Sequence, residues 1–92
     1  MKVVWLADAS ADLAQVVADV HAVNPTAADA LDLRICSAVS HLSAFPEAGR
    51  VGRVSGTREL VIVDYPYIVI YRILTTEVQI VAVRHTSRQW PK

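Results

Sequence analysis

Asn24-Pro25 stands between two stretches of helical periodicity, and a single helix cannot run through it. Proline has no N–H to give the preceding turn, and its ring drives the residue before it out of the α region. In the first turn of a new helix that N–H is not needed, and Asn24 can cap the free amides. Ahead of the break, Leu13, Val16, Val17 and Val20 recur on one face, with Asp12, Gln15 and Asp19 on the other. Asp8 or Ser10 is the expected cap, and the helix runs to about Val23. Behind it, Ala28, Leu31, Ile35, Ala38, Val39 and Leu42 mark the apolar face of a second helix. Phe45-Pro46 ends that helix by the same steric rule. So short a joint makes the pair an antiparallel hairpin.

A hairpin alone leaves its apolar stripe uncovered, so the rest of the chain must cover it. Val3-Val4-Trp5-Leu6 is β-branched and aromatic, a first strand. Residues 46–57 hold proline, glycines and arginines without helical period and read as an exposed loop. Three strand-like runs follow, Arg58–Val63, Tyr67–Leu74 and Val78–Arg84, separated by Asp64-Tyr65-Pro66 and Thr75-Thr76. They are apolar on both faces, the mark of strands covered on two sides. The expected class is α+β: an N-terminal strand and a helical hairpin packed on a mainly antiparallel sheet of three to four strands. Residues 1–92 are read as a single domain, since a chain this short buries only about 60–65% of its unfolded surface and cannot support two cores. One sheet face falls to the helices and the other to a partner.

Charge divides along the chain. Nine Lys and Arg balance nine Asp and Glu. Yet residues 1–46 hold five acids and two bases, and residues 47–92 hold four acids and seven bases. A net of zero argues against a protein that coats nucleic acid over its whole surface. The basic half argues for a local working face. No apolar run is long enough to cross a membrane, and Lys2 is followed by too short an apolar stretch for a secretory leader. With a lone cysteine, this points to the cytoplasm. Cys36, beside Ile35, reads as a small buried apolar residue. His21, His41 and His85 lack metal-ligand spacing, and Gly49, Gly52 and Gly56 fit no phosphate-binding loop, so no metal and no cofactor are expected.

The informative residues lie in the basic half. Arg50, Arg53 and Arg58 sit on or beside the loop, and Arg84, His85, Arg88 and Trp90 close the last strand. Arginine binds phosphate or carboxylate in a fork, aromatic residues stack on bases or anchor interfaces, and histidine can move a proton near neutrality. The bland alternatives are an Arg58–Glu77 cross-strand pair, a solvated Arg72 and a Trp90 that covers the sheet edge.

Four segments carry a resemblance: Phe45-Pro46-Glu47-Ala48-Gly49-Arg50, Gly56-Thr57-Arg58-Glu59-Leu60, Pro66-Tyr67-Ile68-Val69-Ile70-Tyr71-Arg72 and Val83-Arg84-His85-Thr86-Ser87-Arg88-Gln89-Trp90-Pro91. In this order and spacing the chain resembles the RelE/ParE superfamily of bacterial type II toxins. The resemblance implies a helical hairpin on an antiparallel sheet, and a cognate antitoxin that wraps the toxin in a hetero-oligomer. It offers two activities: RelE-like cleavage of mRNA in the ribosome, or ParE-like inhibition of DNA gyrase without cleavage. RelE-type nucleases carry an arginine where this chain has Ile68, a second one about Thr86, and a terminal tyrosine near the place of Trp90. These departures and the neutral charge favour a ParE-like inhibitor. Its expected target-binding residues are Arg58, Arg84, His85, Arg88 and Trp90, then Tyr67 and Tyr71. In the alternative endonuclease His85 is the acid or base, with Arg58 and Arg88 on the phosphate. A third alternative is an inactive remnant that only binds antitoxin.

Overall fold

The computed structural model of the chain describes residues 1–87. The expected hairpin is present as α1 (Ala7–His21) and α2 (Pro25–Ser40), followed by a 3-10 turn over His41–Ser43. Asn24 caps α2 as expected, its side-chain oxygen accepting the Ala27 N–H at 3.1 Å. Neither Asp8 nor Ser10 caps α1. The helix starts at Ala7 with Leu6 extended before it and no side-chain cap. The reason lies in the sheet: the Leu6 N–H donates to the Ile80 carbonyl at 3.1 Å, so the chain leaves a paired strand and enters the helix within one residue. Asp8 still lies in the first turn, where a carboxylate favours the helix dipole.

Among the described residues five strands form one sheet: β1 (Lys2–Trp5), β2 (Arg50–Val51), β3 (Arg58–Val61), β4 (Tyr67–Ile73) and β5 (Glu77–His85), in spatial order β1-β5-β4-β3-β2. β1 pairs parallel with β5 and every other pair is antiparallel. The class is α+β as expected. The sheet gains β2, which lies within the stretch read as a loop. Two residues carry no period, so only their pairing with Arg58 and Glu59 makes them a strand.

The core fills the space between hairpin and sheet. Ala9 of α1 and Leu31, Ile35 and Val39 of α2 pack with Ile62, Val69, Tyr71, Val78, Ile80 and Val83. Ile68, Ile70 and Ala82 form a second buried cluster without helix residues, on the opposite sheet face. Cys36 is exposed, contrary to the sequence reading. Its neighbour Ile35 faces the core, and one residue along a helix turns the side chain by about 100°.

A β-bulge divides β5. Ile70 faces Ala82 but Tyr71 faces Ile80, which leaves Val81 as an extra residue. Val81 and Ala82 therefore both join the second cluster, and the alternation is reset so that Val83 returns to the main core.

Tyr71 ties the long loop to this core. Its fully buried hydroxyl accepts the Gly49 N–H at 2.8 Å and donates to the Pro46 carbonyl at 2.7 Å. A Cβ at Gly49 would stand 2.7 Å from the Tyr71 ring and hydroxyl, so only glycine permits the approach. Burial pushes the Tyr71 phenol above its ordinary value of 10, although the Gly49 hydrogen bond and the Arg58 charge oppose the shift. Tyr71→Phe would leave the Gly49 N–H and the Pro46 carbonyl without this partner. Denaturant unfolding is expected to show a loss of about 2 kcal/mol in stability with an unchanged m-value.

Candidate functional site

Among the described residues the second half of β5 has no strand on its outer side, because β1 reaches only to Ile80. Asp12 of α1 takes that place. One oxygen of its carboxylate accepts the Val83 N–H at 3.1 Å and also the Arg84 guanidinium. The side chains of Arg84 and Asp12 are 20% and 26% exposed, so the pair is half shielded from water and screened less than a surface ion pair. The reset after the bulge places His85 opposite Tyr67 on β4. Their rings meet edge to face with centroids 5.3 Å apart and planes at 84°. The Ser87 N–H donates to His85 Nδ1 at 3.0 Å, and Ser87 Oγ lies 2.7 Å from the same nitrogen. Nδ1 is thus the acceptor, which assigns the proton of the neutral ring to Nε2.

These groups surround a cleft of about 370 Å³. Asp12, Gln15, Val16 and Asp19 of α1 form one wall, and Tyr67, Val83, Arg84, His85 and Ser87 form the other. Three of the residues singled out in the sequence, Tyr67, Arg84 and His85, are brought together here. Arg58 and Tyr71 do not line the cleft. Arg88 and Trp90 lie outside the described residues. The α1 side, Asp12 and Asp19 above all, was missed as part of the site. Its signal was in the sequence: two aspartates seven residues apart lie on one helical face, away from the apolar stripe.

The arginines near the loop serve the framework. Arg58 donates to the Gly49 carbonyl at 2.7 Å and to the Glu47 carbonyl at 3.4 Å, closing the loop that Tyr71 holds from inside. It does not pair with Glu77, which accepts from Gln79 instead. Glu59 is 1% exposed and organises the other two. Its carboxylate accepts from Arg50 at 3.0 Å and from the Arg53 N–H at 3.1 Å, with the Arg53 Nε 3.8 Å away. Burial pushes this carboxyl up. The Arg53 N–H, the Arg50 guanidinium and the charge of both arginines outweigh burial and hold it below its ordinary value of 4.5.

The description "ParE toxin of type II toxin-antitoxin system, parDE" belongs to a family whose pattern matches residues 3–90. The chain belongs to the ParE toxin family. The Y4kP protein of Sinorhizobium fredii is 41% identical over 88 residues, covering 96% of this chain and 91% of that protein. Toxin RelE2 of Caulobacter vibrioides is 37% identical over 87 residues, covering 95% of this chain and 97% of that toxin. A solved structure described as a chromosomal ParDE toxin–antitoxin system from P. aeruginosa matches with a TM-score of 0.82 and 29% identity, over 92% of this chain and 95% of that one. The protein is thus a toxin of a type II toxin–antitoxin module, and membership implies an antitoxin partner. No helix among the described residues is long and apolar enough to cross a membrane.

The Glu59 cluster makes stability depend on pH. A carboxyl held below its unfolded value stabilises the fold fully above that unfolded value, about 4.3, and loses the contribution as pH falls through the folded value. Acid titration of the unfolding free energy is expected to show this loss on the acid side of pH 4.3. In Glu59→Gln the slope in that window is expected to flatten and stability at pH 7 to drop by about 2 kcal/mol.

Proposed function

We propose that this ParE-family toxin acts by binding a protein target, DNA gyrase, and not by cutting RNA. The observation that carries this reading is the α1 wall of the cleft. A phosphodiester at His85 would face the carboxylates of Asp12 and Asp19, and the guanidinium that lines the cleft among the described residues, that of Arg84, is already engaged by Asp12. Catalysis on a phosphate needs cations aimed at the developing charge, and carboxylates there oppose it. Arg58, the expected phosphate ligand of a nuclease, donates to loop carbonyls outside the cleft. Tyr67, Arg84 and His85, supported by Asp12, are then the target-binding surface, with Arg88 and Trp90 continuing it in the sequence. Tyr71 and Arg58 hold the loop closed and lie outside that surface.

The antitoxin completes a hetero-oligomer in the cytoplasm. Val51, Val61 and Val63 are exposed beside Arg50 and Arg53, whose side chains are 57% and 55% exposed. An antitoxin segment that alternates apolar and acidic residues fits this edge. The chain is expected to gain stability from it, because a ligand of the folded state raises the unfolding midpoint.

The endonuclease is the second reading. It is favoured by the RelE2 relative and by the place of His85 in the cleft. Gyrase supercoiling and cell-free translation, each run with the purified toxin and with the toxin–antitoxin complex, separate the two. Blocked supercoiling with intact translation is expected, relieved by antitoxin. Tyr67→Ala and His85→Ala are each expected to weaken the inhibition at least about 10-fold, as buried anchors do. Cleaved ribosomal mRNA would overturn the proposal. No effect in either assay, and no toxicity on expression, would identify an antitoxin-binding remnant.

A further inference from the structure

One face of α1 builds the acidic wall of the cleft around His85. Asp12, Val16 and Asp19 follow one another at four and three residues, so their side chains share one side of the helix. Among the described residues none of α2 lines this cleft, which lies between α1 and the β4–β5 end of the sheet. The two carboxylates differ in what holds them. Asp12 accepts from the Val83 N–H and from the Arg84 guanidinium. Asp19 accepts only a neutral donor on Oδ1, the Gln15 Nε2 at 2.7 Å, and has no ion pair among the described residues. Setting His85 aside, two carboxylates and one guanidinium line the cleft, an excess of one negative charge.

The rest of the lining selects the guest further. Val16 and Val83 supply apolar surface, and the half-buried ring of Tyr67 stands beside them. A volume of about 370 Å³ lies at the low end of ligand pockets, which run from about 300 to 1,000 Å³. It suits one inserted side chain, whereas a docked helix is itself about 10 Å across. A long cationic side chain satisfies every part. Its methylenes cover the valines, its charged head reaches the Asp19 carboxylate, and an aromatic ring attracts a cation. An anion would meet two carboxylates. A neutral apolar side chain would strip water from Asp19 and return nothing. Resting on the protein-target function, we propose that the cleft receives a single lysine or arginine side chain of that target. Asp19 determines the specificity, and Gln15 positions its carboxylate. The excess charge that opposes a phosphodiester is thus the charge that admits a cation.

The first test needs no gyrase. The full chain is titrated, under nuclear magnetic resonance, with the N-acetyl methylamides of lysine and arginine. The methylamides of norleucine and glutamate, and inorganic phosphate, serve as the neutral and anionic probes. A cationic probe is expected to give saturable shifts at Gln15, Asp19, Tyr67 and His85. It should bind at least about 10-fold more tightly than the norleucine probe and weaken as salt is raised. Asp19→Asn is expected to lower its affinity several-fold. Asp29→Asn removes an equal charge from an exposed position on α2 outside the cleft and is expected to leave the affinity unchanged. No saturable binding of either cation would overturn the proposal, even for a toxin that blocks supercoiling. Equal or tighter binding of phosphate or the glutamate probe at the same residues would do so too. The second test compares gyrase inhibition by the same variants. Asp19→Asn is expected to inhibit several-fold more weakly, and Asp29→Asn as the unaltered chain does. Full inhibition by an Asp19→Asn chain that has lost the cationic probes would overturn the proposal, since the guest would not come from the target. Probe binding by a toxin that leaves supercoiling untouched would instead sink gyrase as the target and uphold the cationic class of the guest.

Discussion

One extra residue in β5 decides which way His85 and its neighbours point. Strand side chains alternate strictly between faces, so β5 would otherwise send every second residue after Val78 and Ile80 to the helices. Val81 breaks the alternation. Val83 and His85 follow on the helix side, and His85 meets Tyr67 at the mouth of a cleft against α1. Without the bulge the register would turn His85 to the opposite face. A bulge beside a site commonly re-aims a side chain in this way.

The same edge explains why a toxin of neutral charge has a cleft of mixed sign. β1 pairs with β5 only as far as Ile80, which leaves the backbone beyond it in need of partners. A buried unpaired N–H is costly, and Asp12 supplies the acceptor for Val83. Once that carboxylate is in place, Arg84 has a local counterion. The requirement to satisfy a sheet edge thus changes the electrostatics of the site. It turns an apparently basic strand end into one that carries carboxylates of α1 beside its arginine.

Much of this architecture was legible in the chain. Asn24-Pro25 defined the helical hairpin, and the apolar faces of both helices follow the 3.6-residue repeat that local sequence sets. The motif residues around the loop were legible as a group but not in their roles. Arg58, Glu59, Gly49 and Tyr71 are adjacent only because β2, β3 and β4 pair in one register. Glu59 in particular carries no sign in the sequence that it is buried. Its burial comes from a position opposite Ile70, under two arginines contributed by the loop. Cys36 went the other way, because its side of α2 faces away from the sheet.

The sequence by itself determined the two helices, the strand-rich basic half, the absence of metal-ligand spacing and the membership of a toxin family. These depend on local periodicity, turn chemistry and short motifs, all properties of neighbouring residues. The tertiary structure decided which arginines close the loop and which one lines the cleft. It also decided where His85 points and that two aspartates of α1 share its cleft. Those outcomes depend on pairings between segments some seventy residues apart, such as Asp12 with Val83 and Arg84, and no local pattern encodes the register that brings them together.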